Sequence, residues 1–316
     1  MISFKKIRWK KVFMIVLIVL LIYSSLSMIA TKIIYDAIFD RYECVNSTVP
    51  PTLQPMVEQG VKSNYLSGEN QLTGYLYHSN AADKQDTLII WVSGHHACSH
   101  SYLWQINELL ALGWSVFVFD ATGCCASQGD SAVGFSQELL DLRATINYVE
   151  KCNRFGYNEL VLLGHSQGGY AACCALASDF NISAVISVSG VNSAMEGVIG
   201  AAREYVGPLA YANYGFLWLY QSLLFDVDTL NMRANDVIAK TSVPVLLVHG
   251  DNDQQVPVDR YSIFSYKNEI DNPKVEYALQ ALEGHDGHTD LLFDDDGTAN
   301  DRLIAQIHSF LQRNIH

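Results

Sequence analysis

The chain has 316 residues, of which 49% are hydrophobic and 17% are charged, with 21 Gly and 7 Pro. This composition suits a globular protein with a large buried core and excludes a disordered, collagen-like or coiled-coil chain. The formal net charge is −13, and because residues 1–11 hold five basic and no acidic residues, the remaining chain carries −18. An acidic body of this kind repels phosphate backbones, so nucleic acid is not expected as a partner.

The first 30 residues indicate export from the cytoplasm. A basic cluster ends at Lys11, and residues 12–30 follow as 19 residues without a charge. A helix of that length just spans a bilayer, and its basic flank is expected to stay in the cytoplasm. A cleaved signal peptide is the alternative, because Ser25 and Ser27 form a small-x-small cleavage pattern. We predict a membrane-spanning signal anchor over 1–30, with the rest of the chain outside the cytoplasm and a secreted form as the alternative.

Residues 31–59 are predicted to form an extended tether, because Pro50, Pro51 and Pro55 disfavour a helix. From residue 60 onward, short apolar runs alternate with amphipathic stretches. The runs predict strands at 61–66, 72–77, 87–92, 115–119, 160–163, 184–188, 245–248 and 275–282, and the stretches predict helices at 102–112, 137–149 and 170–177. This order predicts an α/β domain over 60–316, with a mostly parallel sheet and helices on both faces.

Residues 160–169 contain a G-x-S-x-G motif between a buried strand and an Ala-rich helix. This context is typical of a nucleophile elbow, a sharp turn that exposes a serine hydroxyl at the carboxyl end of the sheet. Gly164 and Gly168 would allow the close backbone approach that the turn requires. The motif therefore predicts Ser166 as a nucleophile, although the same letters also occur in tight turns without chemistry.

An acidic partner is expected after the predicted strand 245–248, where a polar loop holds Asp251 and Asp253. A carboxylate in this loop would fix the tautomer of a catalytic histidine and stabilise its charged form. We choose Asp253 and assign Asp251 to the turn, although the loop sequence alone does not separate the two.

Two histidines follow the last predicted strand, and either would suit the general base that accepts the proton of Ser166. His285 lies nearest to the strand end, whereas His288 comes after a segment that contains two glycines. That segment can carry the chain to the rim above the elbow. We favour His288 and keep His285 as the alternative.

An acyl-transfer site also needs two backbone N–H groups that stabilise the developing oxyanion. One is expected from Gln167, the residue after the nucleophile, and the other from the loop after the predicted strand 87–92. In that loop Ser93 and Gly94 precede His95. We therefore assign the oxyanion hole to the amides of Gln167 and His95.

Three motifs in this order make the chain resemble the α/β-hydrolase family, in its serine aminopeptidase and monoacylglycerol lipase-like branch. Besides the elbow, residues 120–127 are similar to the family's D-x-R-G-x-G-x-S stretch and residues 250–257 to its acid loop. The likeness covers roughly residues 60–316 by the order of elements. The chain departs from the pattern at Thr122 and Cys125, which replace Arg and Gly, and at Ser93, where the family commonly has His.

About 50 residues, 192–242, separate the predicted strands at 184–188 and 245–248, far more than the few residues of an ordinary α/β connection. We predict a helical lid. Its aromatic residues either line an apolar acyl site or pack the lid onto the sheet. They are Tyr205, Tyr211, Tyr214, Phe216, Trp218, Tyr220 and Phe225.

The sequence predicts no metal ion and no cofactor. The seven cysteines, at 44, 98, 124, 125, 152, 173 and 174, contain no C-x-x-C spacing, and we expect free thiols in the core, leaving the disulfide state open. Two histidine-containing groups lack a defined metal-ligand spacing. They are His95, His96, Cys98 and His100, and His285, Asp286, His288 and Asp290. A Gly-rich phosphate loop is also missing from the sequence.

The leading functional hypothesis is a serine hydrolase that cleaves carboxylic esters, acylglycerol-like or lysophospholipid-like, through an acyl-enzyme. The first alternative keeps the same triad but cleaves amides, as an aminopeptidase or amidase. The second alternative is a membrane-tethered protein of this fold that binds a small ligand without turning it over.

Overall fold

The computed structural model describes residues 9–44, 49–81, 86–152 and 155–315. Within these residues, eight strands form one sheet in the order β1-β2-β4-β3-β5-β6-β7-β8. The strands are β1 (Val61–Ser67), β2 (Asn70–Tyr77), β3 (Thr87–Val92), β4 (Ser115–Asp120), β5 (Glu159–His165), β6 (Ala184–Val188), β7 (Val245–Gly250) and β8 (Val275–Gln280). β2 pairs antiparallel with both β1 and β4, and all the other pairs are parallel.

The described residues also form eleven α-helices, and helices pack against both faces of the sheet. They are α1 (Trp9–Ile38), α2 (Gln54–Gln59), α3 (Leu103–Ala111), α4 (Phe135–Lys151), α5 (Gln167–Ala175), α6 (Ala194–Val206), α7 (Leu209–Ala212), α8 (Tyr214–Leu224), α9 (Val227–Leu230), α10 (Ala234–Ile238) and α11 (Asp301–Asn314). Short 3-10 turns lie at Ser99–Tyr102, Ile263–Glu269 and Asp290–Leu292. The predicted α/β architecture is therefore confirmed.

The two faces of the sheet carry separate cores because side chains alternate along each strand. On β3, Leu88 and Ile90 join the core formed with α4, α5 and the lid helices. Ile89 and Trp91 join the opposite core, formed with α3 and α11. Strands β3, β4, β6 and β7 are buried along their whole length because both faces of the sheet are covered.

The segment predicted as an extended tether, 31–59, is partly helical. Residues 31–38 form the last turns of α1, and α2 lies further along the segment. The prolines that were expected to keep the segment extended begin at residue 50, so nothing breaks the helix before Ile38. The end of α1 is also held by burial, since Tyr35 and Ile38 are each only 2% exposed.

The chain between β6 and β7, where the sequence predicts a lid, folds into the five helices α6 to α10. The C-terminal half of α1 packs against this region. The ring of Tyr35 lies 5.1 Å from that of Tyr220 in α8, at an angle of 72°. The lid and the end of α1 therefore form one packed unit above the sheet.

A disulfide joins Cys44 to Cys125 and links the chain beyond α1 to the loop after β4. The sequence left this pairing open, because an odd number of cysteines with no spacing signature predicts no connectivity. Arg41 reinforces the link by donating hydrogen bonds to the backbone carbonyls of Cys125, Ser127 and Gly129. Of the other cysteines, Cys98, Cys124, Cys173 and Cys174 are buried free thiols, and Cys152 is a half-buried one.

Candidate active site

Ser166 lies at a sharp turn between β5 and α5, with φ 55° and ψ −117°. This left-handed backbone costs energy for a residue with a side chain, and such strain commonly marks a functional site. The turn depends on two glycines. A Cβ on Gly164 would lie 2.1 Å from the carbonyl oxygen of Gly168, and a Cβ on Gly168 would lie 2.2 Å from that of Val92.

The structure brings Ser166, His288 and Asp253 into one hydrogen-bonded line. The Oγ of Ser166 lies 2.9 Å from Nε2 of His288. Nδ1 of the same ring lies 2.7 Å from Oδ2 of Asp253. Because a carboxylate only accepts, Nδ1–H donates to Asp253 and Nε2 is left to accept the serine proton. This is the arrangement that a nucleophile, a base and an orienting acid require.

Asp253 is buried and is held by more than one donor. Its Oδ1 accepts the backbone N–H groups of Gln255 and Val256 at 2.9 and 2.8 Å, and its Oδ2 lies 3.3 Å from Nε2 of His249. Burial disfavours the charged carboxylate, but the bonds from His249 and His288 outweigh it, so the pKa of Asp253 lies well below its usual range. Asp251, the alternative acid, is exposed.

His285, the alternative base, makes different contacts from His288. Its Nδ1 donates to the backbone carbonyl of Phe293 at 2.7 Å, and its Nε2 lies 3.3 Å from Asp295. The chain between the two histidines turns away from the end of β8, which places His288 rather than His285 beside Ser166.

The two residues assigned to the oxyanion hole flank Ser166 in space. Gln167 is the first residue of α5, and His95 follows β3, the parallel neighbour of β5. The His95 ring is hydrogen-bonded to the backbone of Ile38 and to the Gln167 side chain, and burial together with the adjacent His96 lowers its pKa to about 4. A neutral His95 ring therefore packs against the end of α1.

Two cavities adjoin Ser166, with volumes of about 100 and 440 Å³. Both are lined by His95, Ser166, Glu204, Gln255 and His288. The smaller one is closed by small residues of α6, whereas the larger one extends along the loop after β3 toward Phe293. Two compartments beside one hydroxyl suit a substrate with groups on both sides of its reacting carbon.

Comparison with known proteins identifies the fold of this chain. The family model described as the α/β hydrolase fold matches residues 78–208. The sheet order with its antiparallel β2, and solved structures that cover up to 88% of the chain, extend the likeness beyond these residues. The chain has the α/β-hydrolase fold.

Solved structures with the α/β-hydrolase fold cover most of this chain. An esterase of Pyrococcus furiosus has a TM-score of 0.66 and 19% identity, covering 88% of this chain and 99% of its own. Est1E of Butyrivibrio proteoclasticus, with ferulic acid bound, has a TM-score of 0.60 and 19% identity over 80% of this chain and 99% of its own. An acylaminoacyl peptidase of Pyrococcus horikoshii has a TM-score of 0.58 and 15% identity over 81% of this chain and 41% of its own. A search of curated proteins by sequence found no match.

The two departures from the 120–127 pattern of the α/β hydrolases have local explanations. Thr122 donates its backbone N–H and its hydroxyl to the buried Asp141, at 2.7 and 3.0 Å. Cys125 forms the disulfide with Cys44. Thr122 and Cys125 thus hold the loop by a buried hydrogen bond and a covalent link.

Sequence reasoning missed a polar chain that connects three loops of this hydrolase-fold site. The backbone N–H of Gly94 donates to the hydroxyl of Tyr102 at 2.9 Å, and this hydroxyl lies 3.1 Å from Nδ1 of His165. Nε2 of His165 lies 3.0 Å from the carbonyl oxygen of His288. Since a carbonyl only accepts, Nε2–H donates to it and Nδ1 accepts from Tyr102.

Burial and the neighbouring His288 lower the pKa of His165 to about 3, so the His165 ring is neutral at pH 7. Only the position of His165 inside the G-x-S-x-G motif hinted at this role, and nothing in the sequence singled out Tyr102.

The aromatic residues of the lid do not line either cavity beside Ser166, as far as the described residues show. The cavity wall comes instead from Gly197, Gly200 and Ala201 on α6. Most of the lid aromatics lie on the outside or pack against α1. The two cavities beside Ser166 therefore give no support to an acyl site formed by these rings, and the sequence did not reveal which face of the lid turns inward.

In the described part of the chain, two groups of residues have potential metal-ligand atoms that lie within 4.8 Å of one another. Neither group is one that the sequence suggested. They are Cys44, Cys98 and Cys125, and Asp120, Cys124 and Cys125. Both groups include a disulfide-bonded sulfur, which is not available as a thiolate ligand.

Proposed function

We propose that this protein is a serine hydrolase that cleaves carboxylic esters through an acyl-enzyme. The observation that carries the proposal is the line of hydrogen bonds from Ser166 through His288 to Asp253, at 2.9 and 2.7 Å. A buried histidine with an accepting nitrogen toward the hydroxyl and a donating nitrogen toward a carboxylate is the geometry of an activated serine.

In the first half-reaction, the Oγ of Ser166 bonds to the ester carbon while its proton passes to Nε2 of His288. The amides of Gln167 and His95 stabilise the oxyanion, each contributing about 3 kcal/mol if they act as such donors do elsewhere. The carbon–oxygen bond to the alcohol then breaks, and His288 returns the proton to the departing oxygen.

In the second half-reaction, water gives a proton to His288 and attacks the acyl carbon. The carboxylic acid leaves, and Ser166 recovers its proton. Asp253 stays ionised throughout, because its hydrogen bonds keep its pKa low, and it offsets the charge on the imidazolium.

Amide cleavage is the second candidate. Glu204 lines both cavities beside Ser166, and Glu196 lines the smaller one. Carboxylates in this position would attract the free amine of an aminoacyl substrate. Among the structural neighbours, the acylaminoacyl peptidase shares the fold but carries no argument about this chain's own substrate.

A fluorophosphonate probe followed by a panel of p-nitrophenyl esters and aminoacyl amides tests the proposal. We expect labelling at Ser166, turnover of esters above amides, and loss of both in Ser166→Ala with nearly unchanged thermal stability. Preferential amide turnover would favour the second candidate. Full turnover by Ser166→Ala would refute a serine mechanism, and a folded protein that neither labels nor turns over would favour the ligand-binding alternative.

We further propose that α1 anchors the protein in the membrane and that the domain lies outside the cytoplasm. The helix is 30 residues long with a mean hydropathy of 2.7 in its most apolar window, and only 6% of that window is buried within the protein. The Cys44–Cys125 disulfide supports an oxidising compartment. N-terminal sequencing and carbonate extraction test this: a start near residue 28 in a soluble fraction would indicate the secreted form.

A further inference from the structure

Residues 205–225 contain no Asp, Glu, Lys or Arg, although the chain as a whole is strongly acidic. We call this stretch, which contains α7 and α8, the uncharged lid segment. Seven of its large hydrophobic side chains are exposed, led by Leu223 at 70% and Leu209 at 66%. A dense exposed apolar surface on a soluble domain marks a contact with something else.

The uncharged lid segment lies directly beside α1. The ring of Phe216 in α8 is 6.0 Å from the ring of Tyr23, which belongs to the charge-free stretch of α1. The first turns of α8 therefore contact the part of α1 that would lie within the bilayer.

A polar boundary lies further along α1, at Lys32 and Asp36. Their side chains pair at 2.6 Å, and the hydroxyl of Tyr220 donates to Asp36 at 3.2 Å. Tyr23 and Lys32 are separated by about 13 Å of helix at 1.5 Å per residue. Helix α8 thus extends from the level of the apolar span to the level of the first charged residues, which is the depth of the lipid headgroups.

We propose that the uncharged lid segment is a membrane-docking surface that lies in the outer leaflet of the lipid bilayer. The proposal rests on α1 acting as the membrane anchor. A bilayer is the occupant that fits, because the helix that would cross it contacts this same surface. Tyrosine and tryptophan, which favour the membrane interface, account for five residues of the segment.

Docking of this kind would bring the catalytic pocket to the membrane. Tyr205 begins the uncharged lid segment, and the preceding residue, Glu204, lines both cavities beside Ser166. The surface that touches lipid and the wall that touches substrate are therefore adjacent on α6. An ester in the outer leaflet would reach Ser166 without entering bulk water, which narrows the substrate class to lipids with a long acyl chain.

The first experiment places a fluorescent probe on the full chain in phosphatidylcholine nanodiscs, using Leu223→Cys in a Cys152→Ser background. Leu279→Cys on β8, also an exposed leucine at 49%, is the matched control. A lipid spin-labelled near the headgroup should quench the probe at 223 strongly and the probe at 279 weakly. Equal, weak quenching at both positions in a chain that stays in the nanodisc would overturn the docking surface.

The second experiment compares Leu223→Glu with Leu279→Glu. We expect Leu223→Glu to lower turnover of a long-chain ester in nanodiscs by about tenfold, because a charge at the interface opposes docking. Hydrolysis of soluble p-nitrophenyl acetate should stay within about twofold of the parent, since catalysis itself is untouched. Leu279→Glu should change neither rate, and an equal loss on both substrates in Leu223→Glu would contradict the proposal.

The outcomes separate the possible failures. If the chain is not retained in nanodiscs or carbonate-washed membranes, the anchor proposal is overturned, and with it the docking surface that rests on it. A retained chain whose probe at 223 is shielded from water but not quenched by lipid, in particles that hold two copies, would show a protein interface instead. A retained chain that lacks all esterase activity but is quenched at 223 would keep the docking surface and overturn the proposed function.

Discussion

Strand β5 and helix α8 are both strongly apolar, but their side chains meet opposite surroundings. Leu160 and Leu163 in β5 are at most 1% exposed, whereas Leu223 in α8 is 70% exposed. Burial on both faces makes β5 a rigid support, which holds Ser166 in a strained turn. Exposure beside the long apolar helix α1 is what makes α8 a candidate contact surface. Leucine therefore supports the proposed nucleophile in one region and forms the proposed docking surface in the other.

The largest effect is expected on the sheet side of this comparison. His288→Ala should lower kcat by several orders of magnitude, up to about 10⁶-fold, because the base of the serine is lost. His285→Ala should cost far less, since its ring contacts Phe293 and not Ser166. Steady-state kinetics with a soluble ester, together with melting curves, check both. An inactive but stable His285→Ala beside an active His288→Ala would reverse the assignment.

The next largest effect is expected at the disulfide that ties the chain after α1 to the loop after β4. Replacing Cys44 and Cys125 together by Ser removes a link across 81 residues. The chain-entropy argument gives a loss of about 4.5 kcal/mol in the free energy of unfolding. Cys152→Ser, which changes a free half-buried thiol, is the control and should change little. Melting curves with and without reductant measure the difference, and an unaltered melting temperature in the double variant would argue against the disulfide in the native protein.

Acid should lower the free energy of unfolding through His165, the last residue of β5 in the sheet. Its pKa is lowered to about 3 in the folded state, below the value near 6.5 in an unfolded chain, so the unfolded state binds more protons between these limits. The stabilisation is complete above about pH 6.5 and is lost as the pH falls, by about 2 kcal/mol at pH 5.

Denaturant titrations at pH 7.5 and pH 5 measure this linkage. In His165→Asn the loss between the two pH values should shrink by about the same 2 kcal/mol, because the titrating group is gone. An equal pH dependence in the parent and the variant would show that His165 is not responsible.

An effect of similar or smaller size is expected at Tyr102, whose hydroxyl joins the loop of Gly94 to the loop of His165. Tyr102→Phe removes the acceptor of the Gly94 N–H and the donor to His165, which should cost about 1–3 kcal/mol of stability. It should also lower kcat more than it raises KM, because in the proposed mechanism both loops stabilise the transition state. Tyr77→Phe is the control, since the buried Tyr77 hydroxyl has no hydrogen-bond partner within the described residues. Equal behaviour of the two variants would remove Tyr102 from the positioning network.

Much of the fold could be read from local patterns. The predicted strands match the observed ones to within a few residues. Strands buried on both faces are short apolar runs, and the edge strand β1 alternates between buried and exposed residues. The turn at Ser166 could also be predicted from the sequence, because it needs glycine at 164 and 168. A side chain at either position would collide with neighbouring backbone. Residues close in sequence impose most of these features, whereas the approach of Gly168 to Val92 joins distant parts of the chain.

Other features depend on residues far apart in the chain, and only the tertiary structure decided them. The choice of His288 over His285 follows from how one loop meets β5, and the pairing of Cys44 with Cys125 brings together residues 81 apart. The outward direction of the lid aromatics and the helical start of the predicted tether depend on the packing of α1 against α8. Local sequence specifies where the chain is apolar or turns, but long-range packing selects which apolar surface is buried and which polar groups meet.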